Sequence, residues 1–203
     1  MKKTIVFFSI VLTAAVMMTT AATNGYKVGD TVKDFQLKNT DGKNVSLADY
    51  KNAKGYIVIF TCNHCPYAKA YEQRIMGLDK MYASKGYPVI AINPNDTKAV
   101  PDDSYENMVS VAKAKGYTFP YLLDETQQVA RQFGAARTPH VFVLSKTDKG
   151  LQVAYIGAID DNTEDASAVT HKYVEDAVNS LLKGQQVPVT ETKAVGCTIK
   201  WRS

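Results

Sequence analysis

At 203 residues, with 45% hydrophobic and 22% charged residues, the chain is long enough to bury a core and too apolar and evenly charged for wholesale disorder. Its net charge is +4, and two of those charges, Lys2 and Lys3, sit in a segment expected to be removed; +4 less 2 leaves +2, no electrostatic basis for binding nucleic acid.

The chain opens with MKKTIVFFSIVLTAAVMMTTAAT, in which two lysines precede an apolar run from Ile5 to Met18 and small residues ending at Ala21 and Ala22. Basic, then apolar, then small is the order of a signal peptide. The run is shorter than the roughly 20 residues of a spanning helix. Residues 1–22 are therefore expected to be cleaved, and the mature protein to be periplasmic or secreted without stable insertion in a membrane.

Phe35 to Leu37 alternates like a short strand, Asn39-Thr40-Asp41-Gly42 is a turn, and Asn44 to Leu47 returns, which predicts a hairpin followed by one helical turn to Tyr50. Tyr56 to Phe60 is a continuous β-branched and aromatic run, as in a strand buried on both faces. Tyr67, Tyr71, Ile75, Leu78 and Tyr82 then recur at helical spacing, up to a stop at Gly86. Val89 to Ile92 is the next buried strand, closed by Asn93-Pro94-Asn95-Asp96. Residues 102–115 read as a helix with Met108, Val111 and Ala112 inward; 121–123 is a short apolar strand, and 127–133 a helix ended by Gly134. Residues 141–144 and 153–156 form two strands around a polar turn, and 170–182 is the last helix. Alternating strands and helices predict an α/β fold, a central mixed sheet flanked by helices, with an antiparallel pair late in the chain. Residues 184–203 read as an irregular tail.

The chemistry concentrates at TCNHCPYAKAY, where Cys62 and Cys65 flank Asn63 and His64 between a buried strand and a helix. Open α/β sheets place their sites at such junctions. The free N–H groups and positive dipole of a helix N-terminus stabilise thiolate over thiol, so Cys62 is expected to have a lowered pKa, and a protonated His64 acts in the same direction. Pro66 suits the first helical turn, which has no use for its missing N–H. It also excludes haem attachment, which needs histidine directly after the second cysteine. A structural zinc site uses four ligands, commonly in two close pairs; here there is one pair, a distant Cys197 and three histidines. Two inert thiols suit a core better than a strand-to-helix junction in an exported chain. A redox-active dithiol is the reading that remains, with no cofactor and no metal.

The order strand, Cys-x-x-Cys, long helix, then Thr138-Pro139 before a strand resembles the thioredoxin superfamily. The early hairpin and FPYLLDETQQVARQFGAARTPHVFVL are similar to its redoxin, peroxiredoxin-like (AhpC/TSA-like) branch, and CNHCPY, INPND, TPHVFVL and a terminal GCTIKW resemble one subgroup of it. The resemblance implies a thioredoxin-like (redoxin) domain over residues 28–183 with an N-terminal β-hairpin, and thiol–disulfide exchange with protein thiols or disulfides and a redox partner protein. It implies that Cys62 is the exposed attacking thiolate, that Cys65 resolves from inside, and that Thr138 and Pro139 form a cis-proline turn whose Thr138 backbone pairs with substrate. Asn63 and His64 tune the pair, and a charged His64 raises its reduction potential.

Two other readings compete. A thiol peroxidase of the peroxiredoxin kind aligns its peroxidatic cysteine with Cys65. Its threonine three residues earlier is replaced by Cys62, and its arginine position falls at Pro139, two residues after Arg137, so this reading ranks second. A copper or zinc carrier would use Cys62, Cys65 and a histidine such as His140. Cys197, in VGCTIKW, is a third redox thiol reaching Cys62 or Cys65, a link to another chain, or an apolar thiol under Trp201; a structural or regulatory role is favoured. Asp160 to Asp165 has the wrong spacing for a calcium loop and reads as solvated. Asp96 and Asp124 are both candidates to move the Cys65 proton. Tyr67 is assigned to the core.

Overall fold

A computed structural model describes residues 25–203; the expected signal segment, residues 1–22, lies outside the described residues. Within them, no helix is long and apolar enough to cross a membrane.

Among the described residues, nine strands and four α-helices follow in the order β1 (Gln36–Asn39), β2 (Asn44–Ser46), β3 (Gly55–Phe60), α1 (Pro66–Tyr82), β4 (Val89–Asn93), α2 (Tyr105–Lys115), β5 (Tyr121–Leu123), α3 (Gln128–Phe133), β6 (Arg137–Thr138), β7 (His140–Thr147), β8 (Gly150–Gly157), α4 (Tyr173–Leu182) and β9 (Cys197–Thr198). Seven strands form one sheet in the order β2-β1-β5-β4-β3-β7-β8. β3, β4 and β5 are parallel, as expected of strands joined by helical crossovers, and β7 and β8 run antiparallel to complete the other side. The β1–β2 hairpin adds to the far edge through β5. This is the expected mixed α/β sheet of thioredoxin-like form.

The apolar run in β3 explains why it is central. All six of its residues are buried. Ile57 and Ile59 face α1 and α4, packing with Tyr71, Ile75, Leu78 and Val178. Tyr56, Val58 and Phe60 face the opposite side, with Phe133 of α3 and Phe142 of β7. Phe60, Phe133 and Phe142 meet edge to face at ring-centroid separations of 5.1 to 5.8 Å, an arrangement that adds to simple burial. A strand covered by helices on both faces has no polar side to show, hence its unbroken apolar sequence.

Three sequence expectations change. The tail is not irregular throughout: β9 pairs antiparallel with β6, with Arg137 opposite Thr198 and Thr138 opposite Cys197. Tyr67 is 43% exposed rather than core; Ala68 and Tyr71 are the first side chains of α1 to be buried. The acidic loop is only partly solvated. Asp160 is buried and accepts hydrogen bonds from Arg74 and Tyr71, tying α1 to the segment before α4.

Candidate active site

β3 delivers Thr61 and Cys62 to the carboxyl end of the sheet, and Cys65 is the N-cap residue of α1, with Pro66 in the first turn. The other wall is the β6–β7 corner, where the Thr138–Pro139 peptide is cis, as the resemblance implies. Thr138 is fully buried between the two cysteines. Its hydroxyl oxygen lies 3.3 Å from Cys62 Sγ, and its carbonyl oxygen 3.2 Å from Cys65 Sγ. Thr138 therefore touches both sulfurs, and Pro139 follows it across the cis bond.

The pairing of the sulfurs differs from the expected one. Cys65 is bonded to Cys197 across 132 residues, and Cys62 is a free thiol. The third thiol reaches the active pair, and the alternatives of an interchain link or a thiol sheltered by Trp201 give way to this contact. Trp201 instead stacks on Arg131, whose guanidinium carbon is 4.4 Å from the indole centroid.

Cys62 is not the exposed thiolate that its position suggests. It is 5% exposed, and Cys65 has no exposure at all. Burial, followed by the nearby negative charge of Asp103, pushes the Cys62 thiol up to about 11. Hydrogen bonds from Thr138 and from the backbone of Cys65 and His64 act in the opposite direction, as the helix N-terminus predicts, but do not outweigh desolvation.

Asp103 is the residue that sequence reasoning missed. It is completely buried in a 3-10 turn, Pro101–Asp103, just before α2. One carboxylate oxygen accepts from the backbone N–H groups of Asn63, at 2.8 Å, and His64, at 3.0 Å. The other accepts from His64 Nδ1 at 2.6 Å and from Asn95 Nδ2 at 2.7 Å. A nitrogen this close to a carboxylate carries the proton, so Nδ1 is not free to take the Cys62 proton from 3.6 Å away. Asn63 is anchored too: its amide donates to the Asp102 carbonyl, and its oxygen accepts from the Tyr121 hydroxyl. Asn63 and His64 therefore fasten the cysteine loop to the 3-10 turn before α2 and, through Tyr121, to β5. The Asn-Pro-Asn-Asp turn after β4 reaches the site through Asn95.

Neither carboxylate nominated for the Cys65 proton touches that sulfur. Asp96 faces Arg202, and one Asp124 oxygen accepts from the backbone of Ala130. Nor are Cys62, Cys65 and His140 assembled as metal ligands. Cys65 is in the disulfide, and His140 Nδ1 accepts from the backbone of Ala136. Burial and then Arg137 hold His140 down at about 4. The donor atoms that do cluster within 4.8 Å, among the described residues, belong to Cys62, His64 and Asp103. Both Asp103 oxygens are already occupied by hydrogen bonds.

Residues 28–155 match the AhpC/TSA family. The chain is 38% identical to an uncharacterized conserved protein of known structure from Geobacillus kaustophilus, with a TM-score of 0.80 over 88% of this chain and 94% of that one. It is 34% identical to the hypothetical protein SMc02350 of Sinorhizobium meliloti 1021, with a TM-score of 0.81 over 89% and 97% of the two chains. It is also 28% identical to the thiol-disulfide oxidoreductase ResA of Geobacillus thermodenitrificans over 60% of this chain and 66% of that protein.

Proposed function

Since the chain belongs to the AhpC/TSA family, we propose that it is an exported thiol–disulfide oxidoreductase working by dithiol/disulfide exchange through Cys62 and Cys65. The observation that carries this reading is the disulfide of Cys65 standing beside a free Cys62, with Thr138 in contact with both sulfurs. Exchange needs a thiolate, a disulfide and a third sulfur to leave, and all three sulfurs are present within one buried cluster, Cys197 being partly buried against the other two. Cys62 attacks Cys65 and expels Cys197, forming a Cys62–Cys65 disulfide; one bond forms, one breaks, and the Cys62 proton ends on Cys197. Thr138 orients both sulfurs, and Asp103, through Asn63 and His64, fixes the loop that holds Cys62.

The relative named ResA, described as a thiol-disulfide oxidoreductase, supports the reaction class. Export rests on the basic, apolar, small order of residues 1–22. Its check is cell fractionation with N-terminal sequencing: an exported chain that begins near Thr23 supports it, and an intact cytosolic Met1 contradicts it. The partners are protein thiols or disulfides and a redox protein.

A peroxidase is the second reading, favoured by the peroxidatic alignment of Cys65 and by its pairing with a distant cysteine. Comparing insulin-disulfide reduction with hydrogen peroxide consumption, both driven by dithiothreitol, separates the two. Faster insulin reduction is expected; peroxide turnover without insulin reduction makes the chain a peroxidase.

A further inference from the structure

In the thioredoxin-like arrangement the backbone edge at Thr138 is where a partner strand is expected. Here that edge is taken. β9 pairs with it, Cys197 opposite Thr138, and Arg137 adds a side-chain hydrogen bond to the Gly196 carbonyl at 2.9 Å. The approach is so close that a Cβ on Gly196 would lie 2.3 Å from the Thr138 carbonyl oxygen. No second strand fits between them.

The segment is also fastened on both sides of Cys197. Before it, Thr192 donates to the Ile156 carbonyl and Ile156 donates to Thr190, joining the tail to β8. After it, Ile199 is 4% exposed in the core, and the backbone N–H of Lys200 donates to Asn95. Arg202 donates likewise to Gln127. These contacts do not depend on the disulfide, so they hold Cys197 beside Cys65 when the bond opens. Tethering of this kind gives a thiol a high effective concentration toward its neighbour.

Access separates the three sulfurs. Cys62 and Cys65 are buried, whereas Cys197 is half-buried. Exchange rates depend on access to the attacked sulfur as well as on thiolate character.

We propose that Cys197 is a catalytic residue, the sulfur through which the chain exchanges electrons with its partner, while Cys65 resolves from beneath it and Cys62 stays internal. The proposal rests on the exchange reading above. A partner dithiol's thiolate attacks Cys197, and Cys65 leaves as thiolate. The partner's second thiol then attacks the mixed disulfide; the partner is oxidised and the Cys65–Cys197 pair reduced by two electrons. With a substrate disulfide the direction reverses. Cys197 attacks, one substrate thiol leaves, and Cys65 displaces the second by reforming its bond to Cys197.

The test uses two full-length single-thiol chains, one keeping only Cys197 (C62A, C65S) and one keeping only Cys62 (C65S, C197S). Each is reduced and mixed with glutathione disulfide, and the mixed disulfide is followed by intact mass. The Cys197 chain is expected to react at least tenfold faster at pH 7; equal rates, or a faster Cys62 chain, overturn the proposal. In the three-cysteine chain, Gly196→Val is expected to lower both the yield of the Cys65–Cys197 bond and the insulin-reduction rate by tenfold or more, and an unchanged rate overturns it. If Cys197→Ser keeps the full insulin-reduction rate, this proposal fails while the exchange reading stands. If the unmodified chain reduces no insulin, both fail.

Discussion

At the scale of single residues, Cys62 shows how two effects of one location compete. Its place before a helix argues for a thiolate, and the neighbouring amides do act that way; its burial and the Asp103 carboxylate argue for a thiol and win, pushing it up to about 11. The sign is plain: below that value the neutral thiol dominates, and each pH unit of approach multiplies the thiolate fraction about tenfold. In the oxidised chain, where Cys62 is the free cysteine, alkylation by iodoacetamide is expected to climb in that way from about pH 7 to about pH 10. A rate that has already levelled off by about pH 8 contradicts this. Asp103 makes a second prediction. Asp103→Asn removes the charge but keeps the shape, and should move the alkylation profile to lower pH. Asp103→Ala strands four donors, on buried Asn63 and Asn95 and on partly buried His64. Its cost is expected at about 3 kcal/mol, read as a lower denaturant midpoint. An unchanged midpoint would show that these bonds contribute nothing net. Asp103 was not legible in the sequence because α2 starts after a 3-10 turn rather than at residue 102. The helix begins three residues later, at Tyr105, and the 3-10 turn buries Asp103 while leaving Asp102 exposed.

At the scale of elements, the sheet was largely legible. The continuous apolar runs of β3 and β4 and the alternation of strands with helices point to buried parallel strands, and the Asn-Thr-Asp-Gly turn to the first hairpin. β6 and β9 were not. Two-residue strands carry no periodicity to detect, and their partners lie at opposite ends of the chain. The cluster that brings Cys197 to Cys65 therefore leaves only two traces in sequence: an odd cysteine, and an apolar Ile199 that turns out to be anchored in the core. Close approach also has its own marker in β3. A Cβ on Gly55 would lie 2.0 Å from the Leu144 carbonyl oxygen and 2.4 Å from the Tyr87 ring. Gly55→Ala must therefore push β7 or Tyr87 aside, with an expected loss of about 3 kcal/mol in urea unfolding. A loss near zero would mean that the strand shifts freely.

At the scale of the whole molecule, the Cys65–Cys197 bond ties the tail to the end of the sheet across 132 residues. Closing so long a loop restricts the unfolded chain by up to about 5 kcal/mol in the loop-entropy account. Dithiothreitol should therefore lower the denaturant midpoint of the unmodified chain and leave that of Cys197→Ser unchanged. A midpoint that ignores reduction would show that the tail contacts alone set stability. Redox state and stability are thus coupled, and a chain that cycles between oxidised and reduced forms must stay folded in both. The two-sided fastening of the tail and the double-faced core around β3 provide for that.

The central claim is that the three sulfurs form one exchanging system with Cys65 as the shared member. The most direct measurement is a glutathione redox titration of the full chain, with free thiols counted by alkylation and disulfides mapped by mass. The expected result is a reversible two-electron transition that leaves one alkylatable thiol per chain when oxidised, with every mapped disulfide containing Cys65 and the transition lost in Cys65→Ser. Three free thiols at every potential, or a transition that survives Cys65→Ser, would contradict it.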